Sequence, residues 1–237
     1  MKVDSPEWVD LIIGGAKALG IDLDQQQAHQ FCIHAAELIT WNKKINLTAI
    51  VDPCEVAIKH FLDSIAAARL IPPGATLLDI GSGAGFPGIV LKIALPSLTV
   101  TLIDGSRKKI TFLKHIIRTL QLKNIDARQI RAEEMVKDSG LAAAFDVIIS
   151  RALSSLQSYI AMALPLLAQT GTIIALKGKI NQSEVDDLLS NLAGRLPALP
   201  SDRSRLSLKS ETYELPHTQS RRTIYLVRKS CHDDSWT

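Results

Sequence analysis

At 237 residues, with 46% apolar and 22% charged side chains, the chain can bury one large core and is too ordinary in composition for a disordered or fibrous protein. A net charge of +3 excludes a strong polyelectrolyte, and the scattered Cys32, Cys54 and Cys231 form neither a disulfide framework nor a Cys-x-x-Cys metal knuckle. Asp4, Glu7 and Asp10 interrupt the beginning, where an export signal needs basic and then apolar residues, so a reducing, cytoplasmic setting is expected.

Residues 1–70 read as a helical extension. Ser5-Pro6-Glu7 sets a cap before a proline at the first helical position, and Asp24 precedes an apolar stripe at Ala28, Phe31, Cys32, Ala35, Leu38 and Ile39. Asp52-Pro53-Cys54-Glu55 repeats the start signal as a capping box. Residues 71–230 read as one Rossmann-like α/β domain, with strands near 76–80, 99–104, 125–130, 145–150 and 172–177 separated by helices. Such strands, apolar on both faces, predict a doubly wound, mostly parallel sheet. Runs near 207–215 and 222–228, parted by Pro216-His217-Thr218, predict a C-terminal antiparallel hairpin that brings the sheet to seven strands.

Ala152 to Leu176 carries no charge and is long enough to cross a bilayer, which takes about 20 apolar residues. Its serines and glutamines dilute it, and Pro165 and Gly171 punctuate it into a helix and a following strand, so no membrane partner is expected. Arg195 to Lys229 holds eight Lys/Arg against three Asp/Glu, a pattern that suits either a polyanion partner or a solvated face.

After the first strand, Gly81, Gly83 and Gly85 come at alternate positions and Gly88 opens the next helix. This spacing lets the backbone turn tightly against a ligand, with free amides expected at the helix start. Asp104, at the end of the second strand, is placed to accept hydrogen bonds from both hydroxyls of a ribose. Gly83 to Gly88 also satisfies the dinucleotide string G-x-G-x-x-G, but it starts too late after the strand. Asp79 before it would repel a pyrophosphate, whereas it suits the cationic amino-acid end of S-adenosylmethionine.

Asp79-Ile-Gly-Ser-Gly-Ala-Gly-Phe-Pro-Gly88, Asn46-Leu-Thr48, His60-Phe-Leu-Asp-Ser64, Arg131-Ala-Glu133, Phe145 to Ala152 and Ala175-Leu-Lys-Gly178 occur in one order and spacing. Together they resemble the ribosomal RNA small subunit methyltransferase G family, also called glucose-inhibited division protein B, from about Asn42 to Gly178. The resemblance implies a class I S-adenosylmethionine-dependent methyltransferase fold with a helical N-terminal extension. It implies methyl transfer to N7 of one guanosine in 16S rRNA, with S-adenosylhomocysteine as product and rRNA or the small ribosomal subunit as partner. By motif match, Gly81, Gly83 and Phe86 would meet the donor at the first turn, Asp104 its ribose, and Ala132 and Glu133 its adenine. Arg151 would reach the site after the fourth strand.

Guanine N7 carries a lone pair and no proton, so the reaction needs no general base, and no catalytic acid or base is expected. Amine methylation usually goes with an Asn/Asp-Pro-Pro-aromatic segment where this chain reads Ser150-Arg151-Ala152-Leu153. Cytosine C5 chemistry needs a cysteine, and the one Pro-Cys pair, Pro53-Cys54, lies upstream of the first strand. Arg151 has two readings, a structural ion pair or a contact to donor, phosphate or guanine O6. Lys177 reads as a phosphate contact or a solvated lysine, and His60 as a capping or core histidine. RNA contacts are expected among Lys43, Lys44, Lys59, Arg107, Lys108, Lys109, Arg203, Arg205, Arg221 and Arg222. A default of monomer is adopted. The competing functions are a nicotinamide-dependent oxidoreductase and a nonenzymatic RNA-binding assembly factor.

Overall fold

The structure, a computed structural model, describes residues 1–137, 142–151, 155–178 and 205–230. Seven strands, β1 (Thr76–Ile80), β2 (Thr99–Ile103), β3 (Ile125–Arg128), β4 (Phe145–Arg151), β5 (Leu167–Lys177), β6 (Arg205–Glu214) and β7 (Arg221–Ser230), form one sheet in the order β3-β2-β1-β4-β5-β7-β6. The first five are parallel, and β7 and β6 extend one edge antiparallel, as the apolar runs predict.

Successive residues of a strand point to opposite faces, and here both faces are covered. Leu77, Val100, Val147 and Ile174 enter one core cluster, while Leu78, Ile103, Ile148 and Ile173 enter another. The first cluster lies under α5 (Gly88–Ala94) and α6 (Arg107–Thr119), and the second under α7 (Ala132–Met135) and α8 (Leu156–Ala163).

The N-terminal helices α1 (Pro6–Ala18) and α2 (Gln25–Asn42) share the first cluster through Trp8, Ile12, Phe31 and Leu38. Their caps follow the sequence signals: Ser5 accepts from the Trp8 amide, and Asp24 forms a reciprocal capping box with Gln27. The Gln27 amide nitrogen also donates to the Ile93 and Ala94 carbonyls at 2.9 and 3.2 Å, joining the start of α2 to the end of α5. Chain 53–65 is one helical stretch of three parts, α3 (Pro53–Val56), a π-helical segment at Ala57–Leu62, and α4 (Asp63–Ile65).

Three expectations change. The capping box at Asp52 is half made: Asp52 accepts from the Glu55 amide at 2.9 Å, but the Glu55 carboxylate turns one turn onward to Lys59 at 2.6 Å. Gly171 does not separate helix from strand, because β5 begins at Leu167 and runs through it. A β-carbon there would stand 2.7 Å from Leu167 Cδ1 and 3.0 Å from the Asp146 carbonyl oxygen. The glycine therefore lets Leu167 and the β4 backbone at Asp146 approach closely where the β4–β5 register shifts. Among the described residues, no helix is long and apolar enough to cross a membrane. Finally, β3 ends at Arg128, two residues short of the predicted run.

Candidate active site

The carboxyl ends of β1, β2, β3 and β4 converge where the strand order reverses, the place at which open α/β sheets bind ligands. Two adjoining cavities lie there and share Gly81. The first, of about 230 Å³, is bounded by Gly81, Asp104 and Gly105, the apolar Ile130, Ala132 and Met162, and Glu133. The second, of about 190 Å³, is bounded by the turn from Gly81 to Phe86, by Thr48 and His60 of the N-terminal region, and by Lys109 and Arg151.

The turn between them is tied to β2. Gly81 and Ser82 amides donate to the Ile103 carbonyl at 2.9 and 3.0 Å, and the Gly83 amide donates to Asp104 Oδ2 at 3.1 Å. Gly81 holds φ +74°, which favours glycine, and a β-carbon on it would meet nothing within 4 Å. It belongs to the lining of both cavities. Gly88 is the opposite case, since a β-carbon there would lie 2.3 Å from Leu102 Cδ2 and 2.7 Å from Asp79 Oδ2.

Asp79 is fully buried beneath the turn, where its Oδ2 accepts from the Gly88 amide at 2.9 Å. The amide expected to be free at the start of α5 is thus filled by the chain's own carboxylate, because the side chain at the end of β1 reaches under the turn. Burial pushes the Asp79 carboxyl up to about 7. The residue lines neither cavity, so it shapes the turn from below.

The sequence-predicted residues divide between the cavities. Asp104, Ala132 and Glu133 line the first, Gly83, Phe86 and Arg151 the second, and Gly81 both. Lys177 is half-buried opposite Thr223 of β7 and lines neither. Asp104 is engaged on both oxygens, by the Ser106 amide at 2.8 Å and by Gly83 with Lys109 nearby at 3.4 Å. Ala152 and Arg203 lie outside the described residues.

The family model of GidB, rRNA small subunit methyltransferase G, matches residues 27–193. A ribosomal RNA small subunit methyltransferase G of Geotalea uraniireducens (strain Rf4) is 43% identical over 192 residues, covering 80% of this chain and 87% of that protein. Its counterpart from Lachnoclostridium phytofermentans is 40% identical over 222 residues, covering 92% and 87%.

This chain belongs to the rRNA small subunit methyltransferase G family.

Among solved structures, an O-methyltransferase from Bacillus cereus in complex with SAH superposes with a TM-score of 0.56 at 18% identity, covering 92% of this chain and 97% of that one, a likeness of fold. The relatives lend no support to the oxidoreductase or the nonenzymatic reading. In this member of the small subunit methyltransferase G family the N-terminal helices reach into the site. His34 of α2 bonds the Ala84 carbonyl of the glycine turn at 2.8 Å and stacks with Phe86 at 5.0 Å. His60, from the π-helical segment, stacks with Phe86 at 4.6 Å. Burial and the Arg151 charge hold His60 down at about 3, so it is neutral at physiological pH.

The Arg151 guanidinium turns toward the same segment. It donates to the Lys59 carbonyl at 2.7 Å and to His60 Nδ1 at 2.9 Å, with Asp63 at 3.6 Å. Asp63 in turn accepts from Tyr213 Oη at 2.8 Å and Arg222 Nε at 3.2 Å, both on the C-terminal hairpin. Sequence reasoning assigned no role to Thr48 or Met162. Thr48 lay within the quoted Asn46-Leu-Thr48 motif, a usable signal, whereas nothing in the spacing of α8 marks Met162 as a cavity wall.

Proposed function

We propose that this chain transfers a methyl group from S-adenosylmethionine to N7 of one guanosine in 16S rRNA. The observation that carries the proposal is the pair of cavities at the carboxyl ends of the strands that share Gly81 in their linings, one bounded by Asp104 and Glu133 and the other by Thr48, His60 and Arg151. In this reading Asp104 takes the ribose hydroxyls of the donor, and Ile130, Ala132 and Met162 cover its adenine beside Glu133. Gly81 and Gly83 admit its sulfonium end. The fit is supported by Gly81, which lines both cavities and where a β-carbon would meet nothing within 4 Å. Asp79, buried under the turn on the Gly88 amide with its carboxyl raised to about 7, lines neither cavity and is not placed to hold the amino-acid end of the donor as the sequence suggested.

When bound, the donor supplies an electrophilic methyl on a sulfonium. The chain's residues then need only hold guanine N7 in line with it, because no proton leaves N7. Such orientation can account for roughly 7–11 kcal/mol of a barrier. The neutral His60 agrees, since it is engaged on both ring nitrogens, by Arg151 and Thr48.

The RNA backbone is proposed to follow α6. Ser106 gives this helix no side-chain cap, its first turn has no acid, and Arg107, Lys108 and Lys109 stand where the helix dipole is positive. Arg107 and Lys108 are exposed, and among the described residues neither has an ion pair, whereas Lys59 pairs with Glu55 and Arg222 with Asp63. A cation placed against the dipole is explained by an anion that arrives later.

The deciding experiment is mass mapping of small-subunit rRNA from a deletion strain. One 7-methylguanosine is expected to be missing and to return when purified protein and radiolabelled donor are added to unmethylated rRNA or subunits. An unchanged map with no label incorporated rules the reading out.

A further inference from the structure

The second cavity contains a chain of hydrogen bonds whose direction is fixed at one end. An arginine has donors and no acceptor, so Arg151, at 2.9 Å from His60 Nδ1, makes that nitrogen an acceptor. A neutral imidazole with an unprotonated Nδ1 carries its proton on Nε2. His60 Nε2 stands 2.8 Å from Thr48 Oγ1 and therefore donates to it. The same oxygen accepts the Ile50 amide at 3.0 Å. Both acceptor positions of the Thr48 hydroxyl are then filled, and its proton is left to donate.

That proton has no acceptor among the described residues, and Thr48 is half-buried on the wall of the cavity. Its position is also held from behind. Asn42 Oδ1 accepts the Leu47 and Thr48 amides at 2.7 and 2.9 Å, and Asn42 Nδ2 donates to the Thr48 carbonyl at 2.9 Å. The result is one obligate donor, rigidly mounted, facing the space where the methyl acceptor would lie. On the major-groove edge of guanine, N7 neighbours O6, an acceptor, whereas adenine offers an amino donor there.

We infer that the Thr48 hydroxyl donates a hydrogen bond to O6 of the acceptor guanine, and so selects guanine over adenine and sets N7 toward the donor methyl. His60 and Arg151 are positioning residues that fix the direction of this bond. The inference rests on the guanosine N7 reading above and deepens it. With a base seated over it, the Thr48 donor facing adenine's amino group would be shut off from water and unpaired, which sites use to reject a wrong base far more strongly than shape alone allows.

The test combines Thr48→Val, which keeps the shape and removes the hydroxyl, with Thr48→Ser, which keeps the hydroxyl. Each is assayed on unmethylated small subunits carrying either guanosine or 2-aminopurine riboside, which lacks O6 and keeps N7, at the acceptor position. S-adenosylhomocysteine affinity by calorimetry and thermal melting are measured alongside. Thr48→Val is expected to lose about 10-fold or more in kcat/KM on guanosine, with product affinity close to the parent, a lowered melting temperature because the Ile50 amide and His60 Nε2 lose their acceptor, and Thr48→Ser within a few-fold of the parent in kcat/KM and product affinity. On 2-aminopurine the parent is expected to fall by a similar factor and Thr48→Val to fall no further, the non-additivity of two groups that touch. Equal losses for Thr48→Val on both bases, or full activity of Thr48→Val on guanosine, overturn the inference while leaving the methyltransferase reading intact. Absence of methyl transfer by the parent protein overturns both.

Discussion

A side chain added at Gly81 and one added at Gly88 would do different damage, although both glycines belong to one turn. Gly81→Ala meets no atom but must hold φ +74°, at roughly 1–2 kcal/mol, and it adds a methyl at a position that lines both cavities. We expect a small drop in melting temperature with at least a 10-fold loss of S-adenosylhomocysteine affinity by calorimetry; undiminished affinity contradicts a ligand at this edge. Gly88→Ala collides with Leu102 and with the Asp79 oxygen that the Gly88 amide needs. Overpacking costs roughly 1–3 kcal/mol, and the displaced buried hydrogen bond adds to it, so stability is expected to fall further here. The even spacing of the glycines was legible in the sequence. That one clears a ligand and another clears the chain's own carboxylate was not, because the distinction depends on what lies opposite each Cα.

Two elements bring to the site more than their sequence announced. The first turn of α6 carries three cations against the helix dipole, of which Arg107 and Lys108 are exposed and have no ion pair among the described residues, each worth about 0.3–1 kcal/mol of destabilisation. Replacing Arg107 and Lys108 by Gln is therefore expected to raise the melting temperature of the free protein and weaken RNA binding. The slope of log affinity against log salt should shrink by about one to two; an unchanged slope excludes phosphate contacts at these residues. The second element is the π-helical segment, which no propensity signal marked. It supplies the Lys59 carbonyl to Arg151 and His60 to Phe86, in keeping with the frequency of such distortions at working sites. The capping signals at Ser5 and Asp24 were readable because each is completed within three residues, and at Asp52 only the half made by its own side chain is present. The widened turn meets an arginine more than ninety residues away, a contact beyond the reach of local pattern.

Among the described residues, three buried groups shape the response to pH between about 4 and 7. Burial holds His34 at about 4 and His60 at about 3, so their neutral forms stabilise the fold above the ordinary histidine pKa, and that stability is lost as pH falls toward the folded values. Asp79, raised to about 7, acts oppositely: its contribution is present below about pH 4 and lost as pH rises to 7. Between about pH 5 and 6 the unfolded chain thus binds two protons on the histidines where the native state binds one on Asp79. Stability should rise with pH by roughly 1.4 kcal/mol per unit, and Asp79→Asn should steepen the slope to about twice that. Urea unfolding at the two pH values checks both; a flat profile in the parent contradicts the burial argument. The N-terminal helices share a core with the sheet, so Trp8→Ala should cost roughly 3–5 kcal/mol in a single transition, and a separate early transition would show that they unfold alone. By itself the sequence determined what repeats or closes locally: strands apolar on both faces, helix caps, the glycine turn and the hairpin, each a consequence of side-chain period or of bonds a few residues long. Only the tertiary structure decided that Asp79 lies under the turn, that Arg151 faces His60 and Asp63, and that Thr48 is left with a proton to donate. Those outcomes are set by which distant groups burial forces into hydrogen-bonding range, and a buried polar atom takes whatever partner the packed chain presents.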